Sequence, residues 1–198
     1  SESMIEIASA DDVRILANDD ANSDVFKEIV VETKDSSKSF PWVNVMNPSY
    51  YPNVNLLDVD EDGKDEILII LTSGHGAGSQ VQEIHVLNKE DLSELAVEDP
   101  LKAIESQISS TITKSNGNVH VLVELNGEKL DKTYQESDAG IWNERVAFGT
   151  IVNYEIQNNQ LIANVPGAVS PAEFAITALV EYGPDLKVQH ISIKANHE

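Results

Sequence analysis

Asp58-Val59-Asp60-Glu61-Asp62-Gly63-Lys64-Asp65-Glu66, followed at once by the apolar run Ile67-Leu68-Ile69-Ile70-Leu71, sets the architecture of this chain. Counted from Asp58, aspartates hold positions 1, 3 and 5, a glycine position 6, Lys64 position 7 and Glu66 position 9. Alternate residues of a tight loop can aim carboxylates inward, and a glycine at the sixth place reaches φ > 0 without a Cβ clash. Six carboxylates (Asp58, Asp60, Glu61, Asp62, Asp65 and Glu66) fall within nine residues beside one lysine. Like charges this close ask for a cation or for raised pKa values. Calcium, a hard ion that takes about six to eight oxygens, suits such a loop. The expected ligands are the carboxylates of Asp58, Asp60 and Asp62, the main-chain carbonyl of Lys64, and Glu66, with the Lys64 ammonium turned to water. The other reading is a solvated acidic turn, in which Asp and Gly merely punctuate two strands. The alternate spacing with its glycine is more ordered than a charge run requires.

An EF-hand is ruled against, because it needs a bidentate Glu at position 12 and a helix on each side. Position 12 here is Ile69, inside the apolar run. The loop therefore joins a short strand, Val54 to Leu57, to a strand from Ile67 to Leu71. The second strand is apolar on both faces and is expected at the centre of a sheet.

The stretch resembles the FG-GAP/VCBS-type calcium loop, D-x-D-x-D-G-x-x-D followed by apolar residues, with Glu66 in place of the last Asp. Glu is longer, so its reach into the cage differs from the family pattern. The wider run is also similar to that of uncharacterised secreted or lipid-anchored proteins of Gram-positive bacteria that carry one such repeat. It comprises Phe40-Pro41-Trp42, Tyr50-Tyr51-Pro52, the acidic loop, Thr72-Ser73-Gly74-His75-Gly76-Ala77-Gly78 and Glu83-Ile84-His85-Val86-Leu87. The resemblance covers roughly residues 40 to 100. It implies calcium binding and an extracellular setting, and no known activity. One repeat cannot close a propeller, which takes roughly four to eight blades. No second D-x-D-x-D-G occurs in the chain.

The 198 residues make one domain or two small ones, with enough length to bury a core. No apolar run of about 18 residues is present, so no membrane-spanning helix is expected. No signal peptide is visible, and a start at Ser1 rather than Met suggests a removed leader or a shortened chain. Cysteine is absent, which excludes disulfides, thiol nucleophiles and thiolate metal sites. With 34 acidic and 13 basic side chains the net charge is −21. Nucleic-acid affinity rests on clustered Lys and Arg, so a nucleic-acid partner is not expected, and neither is adsorption to anionic lipid.

Read in order, residues 1 to 24 are polar, with short apolar pieces at Ile5-Glu6-Ile7 and Val13-Arg14-Ile15-Leu16, and a loop from Asn18 to Asp24. Strands are expected over Val25 to Thr33, Phe40 to Met46 and Gln80 to Leu87, with Gly74 to Gly78 a flexible connector. Asp99-Pro100 marks a helix start, with Asp99 as N-cap and Pro100 at the first helical position. Leu101, Ile104 and Ile108 share its apolar face, and it ends near Ser109. Beyond this, Asn116-Gly117 and Asn126-Gly127 join alternating runs, the strongest short hairpin signal. Val119, Val121, Val123 and Leu125 form one face of the middle strand. Two further hairpins are expected, Val146 to Ile156 with Leu161 to Val165, and Phe174 to Tyr182 with Leu186 to Ile193. Between them Pro166-Gly167 and Pro171 bound a loop. About six strands thus follow a soft boundary near residue 109, which divides the chain into 1–108 and 109–198, or leaves one compact domain. The fold class is mainly β, with antiparallel, sandwich-like sheets and one short helix.

The histidines His75, His85, His120, His190 and His197 do not fall at metal-helix spacing, and no G-x-S-x-G elbow occurs. Histidines on strands are expected to be hydrogen-bonded or exposed. Trp42, Tyr50, Tyr51 and Trp142 could form a ligand platform, but each adjoins a Pro or Gly turn, where aromatics anchor corners. The expected function is a secreted or cell-surface calcium-binding protein. It would be a non-catalytic module for a protein or glycan at the cell envelope, with a structural ion held at roughly 10⁻⁴ to 10⁻³ M. The alternative is an extracellular hydrolase or hydrolase inhibitor, with its site in the C-terminal sheet or in the Gly74–Gly78 loop.

Overall fold

Every residue from Glu66 to Thr72 is buried, and the strands on either side assemble around that segment. A computed structural model describes residues 3–76 and 79–196. Its strands run β1 (Met4–Ala10), β2 (Val13–Asn18), β3 (Val25–Phe26), β4 (Ile29–Glu32), β5 (Ser37–Phe40), β6 (Asn44–Val45), β7 (Asn53–Leu57), β8 (Glu66–Gly76), β9 (Ser79–Asn88) and β10 (Glu94–Leu95). The helix α1 (Pro100–Gln107) follows. Then come β11 (Ile108–Ser115), β12 (Asn118–Leu125), β13 (Glu128–Gln135), β14 (Ala147–Phe148), β15 (Ile151–Gln157), β16 (Gln160–Ser170), β17 (Glu173–Tyr182) and β18 (Val188–Ala195). The protein is mainly β, and no closed barrel or propeller forms among the described residues.

The central sheet has the order β18-β17-β16-β15-β9-β8-β7, with β10 added on β9 and β14 on β16. Pairing is antiparallel except at one seam, where Ile151 and Val152 of β15 run parallel to Gln80 and Val81 of β9. This seam crosses residue 109, so strands from both halves of the chain share one sheet. Two smaller sheets stack on it. The sheet β1-β2-β4-β5 buries Ile7, Val13, Ile15, Ala17, Ile29 and Val31 against Ile67, Ile69, Leu71 and Leu87. The sheet β11-β12-β13 lays Val119, Val121, Val123 and Tyr134 against Val169, Ala175 and Ile176. Helix α1 closes the remaining core, with Ala103 and Ile104 over Leu161, Ala163, Val180 and Tyr182.

The local chemistry explains most boundaries. Asp99 caps α1 by accepting from the Leu101 N–H at 2.9 Å, with Pro100 next. The helix stops at Gln107, short of Ser109, because Ile108 already pairs with Leu125 in β11–β12. Asn116-Gly117 and Asn126-Gly127 all adopt positive φ, as the tight two-residue turns of these hairpins require.

Several expectations are corrected. The polar N-terminus is a hairpin, β1–β2. Val25 to Thr33 is not one strand: β3 pairs with β6, whereas β4 lies between β2 and β5 in another sheet. Phe40 to Met46 breaks at Pro41, which has no N–H for a ladder. Gly74, His75 and Gly76 extend β8 beyond a bulge near Ser73, and Ala77 and Gly78 lie outside the described residues. The expected loop at Pro166-Gly167 is strand. Pro166 pairs with Thr177 and falls between the end of β15 pairing at Asn164 and the start of β14 pairing at Gly167. Its missing donor therefore faces no neighbour on that side.

Gly167 is required for space. A Cβ there would lie 2.5 Å from Val146 Cγ1 and 2.7 Å from Phe148 Cε1. Gly167→Ala is expected to lower unfolding stability by about 1–3 kcal/mol, the cost of an overpacked site, as read from the urea midpoint. Gly76→Ala, with open space around its Cβ position, is the control and should change stability by less than about 0.5 kcal/mol.

Candidate metal centre

The acidic loop hangs between β7 and β8, whose register is set from Leu57↔Glu66 to Asn53↔Ile70. Two anchors hold it to the sheet. Val59 drops its side chain into a small cluster with Leu68, Val86 and Leu186. Glu66, at the head of β8, is 2% exposed, and its Oε1 accepts from the N–H groups of Val59 at 2.9 Å and Asp60 at 3.2 Å.

The remaining aspartates fold the loop through its own backbone. Asp58 accepts from the N–H groups of Asp62 (3.1 Å) and Gly63 (2.8 Å). Asp60 Oδ1 accepts from the Asp62 N–H at 3.3 Å, and Asp62 Oδ1 from the Lys64 N–H at 2.8 Å. Gly63 has φ +89° with nothing near its Cβ position, so the turn itself selects glycine there. The Lys64 ammonium points away from the loop and pairs with Glu90 at 3.0 Å.

Asp58, Asp60, Asp62 and Glu66 are thereby brought together, with one oxygen of each lying within 4.8 Å of the others, and this cluster could hold a metal ion. Oxygen-only donors of this charge suit a hard cation. The electrostatics of the loop agree. Burial, reinforced by the Asp60 carboxylate, pushes Glu66 up to about 7. Burial, with hydrogen bonding to Asp62, also raises Asp60. Asp62 goes the other way, held down chiefly by the Lys64 N–H.

The other residues singled out from sequence lie elsewhere. Trp142 is buried and donates from Nε1 to the Glu136 carbonyl at 3.0 Å. Trp42 is buried between Phe40 and His85, and Tyr51 packs on Phe26. These aromatics anchor corners. His120 contacts Thr133 Oγ1 at 3.3 Å and His190 sits exposed on β18, while His197 lies outside the described residues. His75 stacks on Tyr50 at 4.4 Å and shares the rim of a hollow of about 390 Å³ with Ser73 and Asp24. The Ser73 hydroxyl there donates to the Val81 carbonyl at 3.3 Å. His85, a strand histidine expected to be hydrogen-bonded or exposed, is hydrogen-bonded to Glu94 at 2.6 Å and lies 3.8 Å from Glu83. Its strand position was legible, but Glu94 and Trp42 reach it only through the fold.

Glu66 yields a pH prediction. Its native pKa of about 7 lies above the ordinary 4.5, so between these values the native state holds more protons than the unfolded chain. Stability in chelator should therefore fall as pH rises from about 4.5 to about 7, by up to about 3 kcal/mol from this group. Glu66→Gln should flatten that slope in urea titrations at a series of pH values, and an unchanged slope would remove Glu66 as its source. No family model, curated protein or solved structure matches the chain.

Proposed function

We propose that the chain is a secreted or cell-surface protein of the FG-GAP/VCBS type that binds calcium. Asp58, Asp60, Asp62, the Lys64 carbonyl and Glu66 are the ligands. The convergence of four carboxylates at the head of a strand whose first seven residues are all buried carries this reading. The ion is structural: it offsets the repulsion among the acids and ties the loop to β8. An affinity of roughly 10⁻⁴ to 10⁻³ M suits an extracellular setting. The protein acts as a non-catalytic module for a protein or glycan at the cell envelope. A polar partner fits a surface on which Met4 and Ile141 are the large exposed hydrophobics among the described residues. With a net charge of −21 that partner is not a nucleic acid.

The alternative, a hydrolase or hydrolase inhibitor, draws on the hollow shared by Ser73, His75 and Asp24. The Ser73 hydroxyl would have to leave the Val81 carbonyl to become a nucleophile. Labelling by a fluorophosphonate that is lost in Ser73→Ala would establish this reading, and absence of labelling would end its nucleophilic-serine form.

Thermal unfolding tests the metal. At about 10 mM calcium the stated affinity gives about 1.4–2.7 kcal/mol of stabilisation over chelator. For a chain of this size that is a rise of roughly 3–10 °C in Tm. Asp60→Ala should abolish the rise. An equal Tm in calcium and chelator for the unsubstituted protein would reduce the loop to a solvated turn.

A further inference from the structure

We propose that His85 is a proton-controlled latch: as an imidazolium it engages Glu94 and Glu83 together and fastens β10, with the segment leading to α1, onto the central sheet. This inference stands apart from the metal reading.

The latch sits in a gap along one edge of β9. On that edge β15 pairs with Gln80 and Val81, and β10 pairs with Val86 and Leu87. Between them a cleft of about 720 Å³ opens, with Glu83 and His85 on the β9 side, Glu94 to Asp99 on the β10 side, and Tyr154 also lining it. The β10 wall is lightly held at its start, since β10 is two residues long. It nonetheless covers apolar surface, because Leu95 and Val97 pack on the cluster of Leu68, Val86 and Leu186. Farther along it is firmer. The Glu98 N–H donates to the Leu186 carbonyl at 3.0 Å, and the Tyr182 hydroxyl donates to the Glu98 carbonyl at 2.8 Å. The His85–Glu94 contact is thus the side-chain fastening at the weak end.

Its geometry suits a charged ring. Nδ1 lies 2.6 Å from Glu94 Oε2, and Nε2 lies 3.8 Å from Glu83 Oε2. Nε2 is buried with no hydrogen-bond partner. A neutral imidazole carries one N–H and one bare lone pair. Donating to Glu94, it would aim the lone pair at the Glu83 carboxylate. The imidazolium donates from both nitrogens, and a contact as short as that to Glu94 is typical of charge-assisted bonds. The ring also lies flat on Trp42, centroids 3.9 Å apart at 16°, and an indole face favours a cation. Trp42 stacks in turn on Phe40, with the Lys38 ammonium 5.2 Å from the Phe40 ring. The charges facing His85 are therefore Glu83 from β9 and Glu94 from β10, with Glu98 and Asp99 farther along the same cleft.

Burial opposes the charge on His85, and the carboxylates of Glu83, at ion-pair distance, and Glu94, in hydrogen-bond contact, outweigh it, so the pKa is raised above the ordinary 6.5. Glu83 is correspondingly lowered, chiefly by the His85 ring beside it. A raised native pKa means that the stabilisation is complete below about 6.5 and is lost as pH rises through the native value. Above it, Glu83 on one wall and Glu94, Glu98 and Asp99 on the other share the cleft without a cation, and the β10 wall loosens.

Trp42 reports the proton directly, because an imidazolium stacked on indole quenches its emission more than neutral imidazole does. In Trp142→Phe, where Trp42 is the remaining tryptophan, emission is expected to rise with pH along a single sigmoid with its midpoint above 6.5. The sigmoid should vanish in His85→Gln and move to lower pH in Glu94→Gln. Hydrogen-exchange protection of the Glu94–Val97 amides should fall across the same transition. If Trp142→Phe does not fold, the His85 Cε1 resonance of the unsubstituted protein supplies the same midpoint. A midpoint at or below 6.5, one unmoved by Glu94→Gln, or protection that stays constant through the transition would overturn the latch.

Discussion

A strand that must be dry on both faces governs this molecule. Ile67, Ile69 and Leu71 face the N-terminal sheet, while Leu68 faces the cluster of Val59, Val86 and Leu186. Such a strand cannot lie at a sheet edge or against water. It must have neighbours at both sides and a layer above and below, and β7, β9 and the stacked four-stranded sheet meet that demand. Covering a buried Leu or Ile side chain is worth roughly 1.5–3 kcal/mol, so five in succession outweigh the preferences of the polar segments around them.

The acidic loop inherits its position from that strand. Glu66 is the residue where the buried run begins, so its carboxylate is carried inward with the strand and must find donors there. It finds the N–H groups of Val59 and Asp60, and in binding them it folds the loop back over the sheet. The aspartates then close on their own backbone. Polar convergence at Asp58, Asp60, Asp62 and Glu66 is thus a consequence of apolar burial one residue away.

What the sequence made legible was local. The 1-3-5 spacing, the Asn-Gly turns, the Asp99-Pro100 helix start and the doubly apolar strand each carry their cause within a few residues. What it hid was long-range. Pro166 argued for a loop until a gap between two partner strands made its missing N–H harmless. The weak alternation of Met4 to Asn18 gave little sign of a hairpin, because its outer face carries Glu6 and Arg14 joined by an ion pair. His85 looked like any strand histidine, since its partners Trp42 and Glu94 lie 43 and 9 residues away in sequence.

The parallel seam between β9 and β15 has a consequence for how the chain is made. Its register pairs Gln80 with Ile151 and Val81 with Val152, so the sheet cannot be completed until some seventy further residues have left the ribosome. Through that interval the outer edge of β9 is exposed, and an open strand edge is a template for foreign strands. The segment meanwhile carries its own deterrents. Glu83 and His85 lie on that edge, and the two-residue β10, close by in sequence, can cover Val86 and Leu87 early. Closure over so long a separation is slow compared with hairpin formation. The nascent chain is thus guarded by local pairing and charge until its distant partner arrives.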